Sequence, residues 1–456
     1  MTAGNSAHQR AGSTTRIQRN QDGGPNLAEP LTYESEFDRL THYVFRYPAK
    51  FHPPIARALL TKYTEIGGTV LDPFCGSGTL LVEAAVTGRK SIGIDIDPVA
   101  VFVSTAKTAP LAAKCLEDCA AKLEIRLSRR ARSNDEYINR QFVDLTETQF
   151  RSAGTRLRAH IPAIPNIEHW FRRYVIVDLA RIKETILAHC DHRHHLTFYM
   201  LVFASIIRAS SNADPVPVSG LEVTSHMLRR DELGRVIDPF KLYAERLTRS
   251  RRAAEEYAAQ AYPLCRPRIL HDDATTFAAS LDVGVDAVIT SPPYHNAVDY
   301  YRRHTLEMYW LGLVVDHAER LDLLTRYIGR ARVRRSHAFV KNDEPLSKLA
   351  RQWFTKLETN STVRAEAFKH YVVAMRQAVR QIATVLKRDS RAVFVLGKST
   401  WNGETIPTTR LFRDVASGYF ELEDTFSYPL RNRYMSYSRQ NGADINREYV
   451  LVFRRT

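Results

Sequence analysis

The chain has 456 residues, 44% of them hydrophobic, which is ample for a large core and fits roughly two to three domain-sized units or one elaborated domain. Its formal net charge of +15 favours a polyanionic partner, although arginine enrichment alone produces the same balance. The cysteines Cys75, Cys115, Cys119, Cys190 and Cys265 contain no Cys-x-x-Cys pair, which argues against a disulfide framework or a thiolate zinc site; no apolar run spans a bilayer and the N-terminus is polar, so a cytoplasmic protein is expected.

Residues 1–30 are rich in Gly, Ser, Asn, Gln and Arg, and a disordered tail is expected there. Residues 43–60 place prolines where a first helical turn tolerates them and lead into a helix. Residues 68–85 read as a strand through Leu71, a turn with Gly76 and Gly78 two apart, and an apolar helix. Glycines there let a ligand approach the backbone, and the helix N-terminus offers free N–H groups. The third glycine of a dinucleotide fingerprint is missing, because Leu81 stands in its place. About twenty residues on, residues 90–98 read as a second strand with Asp95 at its carboxyl end, where a ribose diol is met, whereas Asp97 before Pro98 begins the next helix.

A third strand arrives only at residues 268–275, after an insertion of residues 105–267. The insertion has helical periodicity over 106–127 and 174–188, and an apolar helix or strand over 196–207. Its arginines, among them Arg129, Arg130, Arg132, Arg151, Arg156, Arg158, Arg172 and Arg173, suit either a DNA-contacting module or a solvated helix face. His189-Cys190-Asp191-His192-Arg193-His194-His195 has no second cluster to converge with, so it reads as a polar loop and no metal site is expected.

Residues 285–289 form a short buried strand, stopped by Pro292 and Pro293 because neither can donate to a ladder. The corner Ser291-Pro292-Pro293-Tyr294 can hold the Ser291 hydroxyl and the Pro292 carbonyl as two acceptors beside the Tyr294 ring. Such a corner suits methylation of an exocyclic amine on a base. Two acceptors on its N–H bonds favour a pyramidal nitrogen and free the lone pair, while the ring stacks on a base that has left the duplex. Residues 299–313 carry Arg302 and Arg303. Residues 326–341 are the densest basic stretch, with Arg326, Arg330, Arg332, Arg334, Arg335 and Lys341 between Tyr327 and Phe339, and are the leading candidate for phosphate contact. Beyond them the pattern predicts a helix over 368–387, strands over 391–397, 420–428 and 448–454, a loop over 401–407 and a helix over 410–419.

Ser291-Pro292-Pro293-Tyr294 is similar to the catalytic motif of amino-group DNA methyltransferases, and its Ser-first form resembles the cytosine-N4 members more than the adenine-N6 members, which usually begin with Asp or Asn. Asp72-Pro73-Phe74-Cys75-Gly76-Ser77-Gly78-Thr79 is similar to the S-adenosylmethionine motif of the same family. Tyr47-Pro48-Ala49-Lys50-Phe51-His52-Pro53 resembles the segment that closes over the methionine part of that cofactor. The resemblance covers residues 43–98 and 268–455.

It implies an α/β fold of the Class I methyltransferase (Rossmann-like) type: a mostly parallel sheet with an antiparallel C-terminal edge, carrying here a large, mainly helical insertion. The expected divisions are a tail (1–30), a cofactor-binding half (31–104), the insertion (105–267) as a DNA-recognition element, and a catalytic half (268–456) with a basic segment (320–341). By the resemblance Lys50, Phe51, His52, Asp72, Phe74, Cys75, Gly76, Ser77, Gly78, Thr79 and Asp95 seat S-adenosylmethionine. Asp273 meets its adenine, with Asp272 where the family has glycine. Ser291, Pro292, Pro293 and Tyr294 bind and activate a base flipped from double-stranded DNA, and Arg302, Arg303, Arg330, Arg332, Arg334 and Arg335 hold phosphates. A cytosine-N4 methyltransferase of this kind suits restriction-modification, with a cognate restriction endonuclease as a partner. Adenine-N6 DNA methyltransferases and RNA guanine-N2 methyltransferases are the neighbouring alternatives. A catalytically silent nucleic-acid-binding protein is the alternative of another class, and its expected signature is a damaged cofactor loop or catalytic motif.

Overall fold

The computed structural model describes residues 40–48, 51–190, 192–215, 221–282, 284–295, 300–333, 337–341, 344–401, 404–429 and 447–456, and the backbone of two short strands at 18–19 and 25–26. The central sheet is built from β1 (Thr69–Asp72), β2 (Lys90–Asp95), β3 (Arg268–His271), β4 (Val285–Thr290), β5 (Leu386–Gly397), β6 (Phe420–Pro429) and β7 (Arg447–Arg455). Their order in space is β3-β2-β1-β4-β5-β7-β6. The pairs among β1 to β5 are parallel, and β7 runs antiparallel to both β5 and β6. This is the sheet expected of a Class I methyltransferase. The strand order reverses between β1 and β4, so their carboxyl ends open onto one crevice.

Period-2 side chains bury both faces of the sheet. On β5 and β7, Val393, Val395, Val450 and Val452 face the layer of α1 (Pro53–Tyr63) and α2 (Thr79–Val86), whereas Phe394, Leu396, Leu451 and Phe453 pack with the helix Thr362–Val385. Burial on both sides explains why these strands read as near-continuous apolar runs. Gly93 in β2 lets α2 lie close, since a Cβ there would stand 2.6 Å from Leu81 Cδ1 and 3.1 Å from Cys75.

The insertion folds mainly as helices, the longest being Ala113–Ser128, Arg173–His189, Arg193–Ser210 and Pro239–Gln260. Its core runs without interruption into Val99 and Val103 of α3 (Pro98–Lys107) and into Leu306, Met308 and Trp310 of the helix Thr305–Leu311. The insertion therefore packs against helices from both halves of the sheet domain. Several of its arginines serve that packing. Arg132 donates to the fully buried Asp178 (3.0 Å), which also accepts from Tyr137 (3.0 Å). Arg130 pairs with Glu184, Arg151 with Glu147, Arg172 with Asp231, and Arg173 with Glu147 and Glu168. Arg129, Arg156 and Arg158 lie on the exposed surface.

The apolar stretch 196–207, read as helix or strand, is helix. Three expectations change. The helix over 106–127 is two helices, because α3 ends at Lys107 and Pro110 stands before the next start at Ala113. The loop over 401–407 is instead a hairpin pairing Ser399–Trp401 with Glu404–Ile406; its turn residues Asn402 and Gly403, a hairpin signature, lie outside the described residues. Within the tail expected to be disordered, Gln18–Arg19 and Pro25–Asn26 form short strands, and Asn26 pairs with Ser427 on β6. Pairing of this kind uses backbone groups at a sheet edge and needs no apolar side chains. The rest of that tail lies outside the described residues. No helix among the described residues is long and apolar enough to cross a membrane.

The close approach at Gly93 sets a stability expectation. Gly93→Ala lowers the unfolding free energy by about 1–3 kcal/mol, read as a lower denaturant midpoint at unchanged slope.

Candidate active site

A cleft opens at the carboxyl ends of β1 to β4, the rim where open α/β sheets bind their ligands. Asp72, Phe74, Cys75, Gly76, Ser77 and Thr79 line it from the first strand and turn, Asp95 and Asp97 from the second, Asp273 from the third, and Ser291 and Pro293 from the fourth. Tyr47 and Phe51 close one side, and Arg326, Tyr327 and Ile328 another.

The turn after β1 is held from three directions. Cys75 N–H donates to Ile94 O (3.0 Å), and Gly76 N–H to Asp95 Oδ2 (2.8 Å). Gly76 and Gly78 have φ of 50° and 72°, in the left-handed region that favours glycine. Gly78 also caps α2, and a Cβ there would sit 2.7 Å from Ser104 Cβ. From behind, Lys107 at the end of α3, only 1% exposed, donates from Nζ to Ser77 O (2.6 Å). Ser77 Oγ and Thr79 Oγ1 are buried beside the cleft without a hydrogen-bond partner among the described residues.

Acids dominate the remaining wall. Asp72 is 3% exposed; its Oδ1 accepts from Thr290 Oγ1 (2.6 Å) and from Phe74 N–H (3.2 Å). Burial pushes its carboxyl up to about 7, against those two hydrogen bonds. Asp95 accepts from Asp97 N–H (2.9 Å) as well as from Gly76, and loss of water followed by the nearby Asp97 charge raises it to about 7. Asp97 caps α3 by accepting from Val99 N–H (2.8 Å), and its Oδ2 accepts from Tyr47 OH (3.4 Å). Asp273 Oδ1 accepts from Thr275 N–H (2.8 Å) and Oγ1 (2.7 Å), a local turn that fixes its carboxylate at the cleft. Burial, then Asp95 and Asp72, push the Cys75 thiol well above its ordinary range, so it is a neutral packing group.

This donor set fits S-adenosylmethionine. A wall of four carboxylates suits a ligand carrying a sulfonium, an ammonium, a ribose diol and an aromatic amine, and disfavours the pyrophosphate of a dinucleotide. Tyr47, Phe51, Phe74 and Ile96 supply apolar surface, and the lone hydroxyls of Ser77 and Thr79 flank the start of α2.

The second strand end is a separate corner on the same cleft. Ser291 donates from Oγ to Val395 O (3.3 Å), which ties it to β5 and leaves its oxygen lone pairs as acceptors. Pro292 is buried. Tyr294 does not line the cleft; its hydroxyl donates to Glu448 Oε1 (2.7 Å) on β7.

Of the residues expected from sequence, the structure gathers Phe51, Asp72, Phe74, Cys75, Gly76, Ser77, Thr79, Asp95, Asp273, Ser291 and Pro293 around one cleft. Gly78 shapes the turn from beneath. His52 stands at the start of α1, where its carbonyl accepts from Ile55 and Ala56 N–H (both 3.0 Å), and does not line the cleft. Lys50, Arg334 and Arg335 lie outside the described residues, as does Asp299. Arg302 is exposed and pairs with Glu222 (3.7 Å). The Arg303 carbonyl accepts from Arg208 (3.0 Å) of the insertion. Arg330 is half-buried and Arg332 exposed. Lys107, Thr290 and Tyr327 belong to the site without having been expected there, and Asp97, expected only to begin a helix, also lines the cleft. Lys107 and Thr290 carry no local signal, since their partners are 30 and 218 residues away.

A family model described as DNA methylase, of the N6/N4 type, matches residues 15–105. Type II methyltransferase M.MvaI of Kocuria varians is 24% identical over 407 residues, covering 83% of this chain and 82% of that protein. Type II methyltransferase M.BsoBI of Geobacillus stearothermophilus is 22% identical over 468 residues, covering 90% and 84%. A tRNA (guanine(10)-N2)-dimethyltransferase of Methanothermobacter thermautotrophicus is 41% identical over 54 residues, 12% of this chain and 16% of that protein.

Two measurements probe the site. Lys107→Met removes a charged hydrogen bond and leaves a buried carbonyl unpaired; it is expected to cost roughly 1–3 kcal/mol of stability and to weaken S-adenosylmethionine about tenfold by isothermal titration. Asp72 has a folded pKa of about 7 against an unfolded value of 3.8, so the folded state holds an extra proton between them and stability falls as pH rises through that window. Asp72→Asn is expected to remove this component, so that its stability relative to the parent rises from pH 4 to 7, by roughly 1.4 kcal/mol per unit at most, and levels off above.

Proposed function

We propose that this chain is an amino-group (N6/N4) DNA methyltransferase that uses S-adenosylmethionine, and that it methylates the N4 amine of cytosine at a specific site in double-stranded DNA. The observation that carries the reading is the meeting of two motifs: the acidic glycine turn after β1 and the Ser291 corner after β4 line one cleft, with Thr290 hydrogen-bonded to Asp72 across the strand ends at 2.6 Å. The Ser-first form of the corner favours cytosine N4. The relatives that align across most of the chain are Type II methyltransferases, whereas the tRNA enzyme is similar over 54 residues only, which favours DNA.

S-adenosylmethionine, when bound, supplies an electrophilic methyl group on a sulfonium. Asp95 accepts ribose hydroxyls and Asp273 the adenine amine, while Asp72 and the hydroxyls of Ser77 and Thr79 address the methionine end. Ser291 Oγ and the Pro292 carbonyl accept the two N–H bonds of the target amine, which frees its lone pair for in-line attack. Tyr294 stacks on the extruded base. The nucleophile is the amine itself, consistent with a Cys75 thiol held neutral. The exposed Arg302 and Arg332, with Arg303 and Arg330, offer cations to the phosphates, and the insertion, joined to the catalytic half through Arg208 and Arg303 O, reads the sequence. A restriction endonuclease of matching specificity is the partner this role implies.

Nucleoside mass spectrometry of DNA and RNA from cells expressing the chain is expected to find N4-methylcytosine in DNA. N6-methyladenine alone would move the assignment to the adenine branch, and methylated RNA alone would overturn it. Ser291→Ala is expected to lower kcat roughly a hundredfold or more while leaving S-adenosylmethionine affinity unchanged.

A further inference from the structure

A cross-strand row beside the catalytic corner has no part in the scheme above. Glu448 on β7 stands opposite Gly397 on β5 in one ladder and opposite Tyr428 on β6 in the other. Its Oε1 accepts from Tyr294 OH (2.7 Å) and its Oε2 from Tyr428 OH. Tyr428 is 1% exposed and packs in the core on the α1 face, so one of the two hydroxyls is anchored to the body of the sheet.

Glycines seat the other tyrosine from both ends. A Cβ at Gly397 would collide with Cε2, Cδ2 and Cζ of the Tyr294 ring, and a Cβ at Gly329, whose φ is +85°, would stand 2.9 Å from Tyr294 O. The ring rests on bare backbone at the end of β5. Its hydroxyl reaches across to the next strand. Placing a carboxyl among aromatic rings disfavours its charge, and loss of water raises Glu448 above the ordinary glutamate range, against the hydrogen bonds from Tyr428 and Tyr294. A neutral acid still has an acceptor for each hydroxyl. The sheet itself asks for no acid at this position, since a leucine would satisfy the strand equally well.

We propose that Glu448 is a positioning residue that acts through the Tyr294 hydroxyl to fix the Tyr294 ring as the stacking surface for the flipped base; this rests on the function proposed above. Tyr428 holds the carboxyl in place, Gly397 gives the ring its seat, and strand β7 thereby helps to set the plane in which the target base comes to rest.

The test uses the full chain, radiolabelled S-adenosylmethionine and unmethylated bacterial genomic DNA, whose length supplies sites whatever the recognition sequence. Glu448→Leu is expected to lower kcat/KM for DNA about tenfold, the size of losing an ordered base–aromatic stack, with cofactor affinity by isothermal titration unchanged. Glu448→Gln, which can accept from one tyrosine and donate to the other, retains most of the activity. Combined with Tyr294→Phe, Glu448→Leu gives no further loss beyond the larger single effect. Gly397→Ala keeps Glu448 and displaces the ring; it is expected to give the same split between DNA and cofactor, and it decides the matter if Glu448→Leu does not fold. Full activity of Glu448→Leu and Gly397→Ala, or a Glu448 loss that adds in full to that of Tyr294→Phe, overturns the positioning role alone. A parent chain that binds cofactor and transfers no methyl to DNA overturns the proposed function and this role with it.

Discussion

The hydrogen bond from Thr290 to Asp72 joins the two strand ends on which everything else is arranged. β1 and β4 are neighbours at the point where strand order reverses, paired in parallel through Val70 with Ala287 and Leu71 with Val288. Parallel register sends both carboxyl ends to the same rim of the sheet, and the fully buried threonine fixes how far they stand apart. One strand then turns into a glycine bend that starts a helix, the other into two prolines that cannot continue the ladder. Residues from both strand ends line one cleft because those two terminations face the same way.

Charge in the molecule is divided by place. The cleft gathers carboxylates, from Asp72, Asp95, Asp97 and Asp273, inside a protein whose net charge is +15. A cationic ligand is favoured within and a polyanion without. Much of the arginine in the insertion takes no part in that outer field: Arg132, Arg172 and Arg173 hold helices together through Asp178, Asp231, Glu147 and Glu168. The insertion shares its core with α3 and with Met308 and Trp310, so any DNA it contacts is placed relative to the cleft by packed side chains rather than by a linker.

The parts of the fold legible in sequence were those with local signals. The glycine pair after Leu71, the acid closing β2, the double proline after Thr290 and the alternating apolar runs of β5 and β7 each declare themselves within a few residues. Asp97 announces its role as a helix cap by standing before Pro98, and the structure has it accepting from Val99 N–H. What stayed hidden depends on chain segments far apart. Lys107 falls at the start of the stretch read as helical over 106–127 and is found buried against Ser77 O. Glu448 is the first residue of the strand read over 448–454, and it meets Tyr294 across 154 positions. Tyr327 and Ile328 sit within the basic stretch read as a phosphate-contacting surface, and both line the cleft. Asn402-Gly403 is a local hairpin signal in the sequence, but a loop between strand and helix fits the same pattern, and only the pairing of Ser399–Trp401 with Glu404–Ile406 decides between them.

The account stands on both motifs meeting over one ligand. The direct measurement is a crystal structure of the full chain with S-adenosylhomocysteine. The expected result places the ligand along the turn of Gly76 and Gly78, its ribose at Asp95, its adenine near Asp273 and its sulfur facing Ser291. Ligand density elsewhere on the protein, or a sulfur turned away from Ser291, would contradict it.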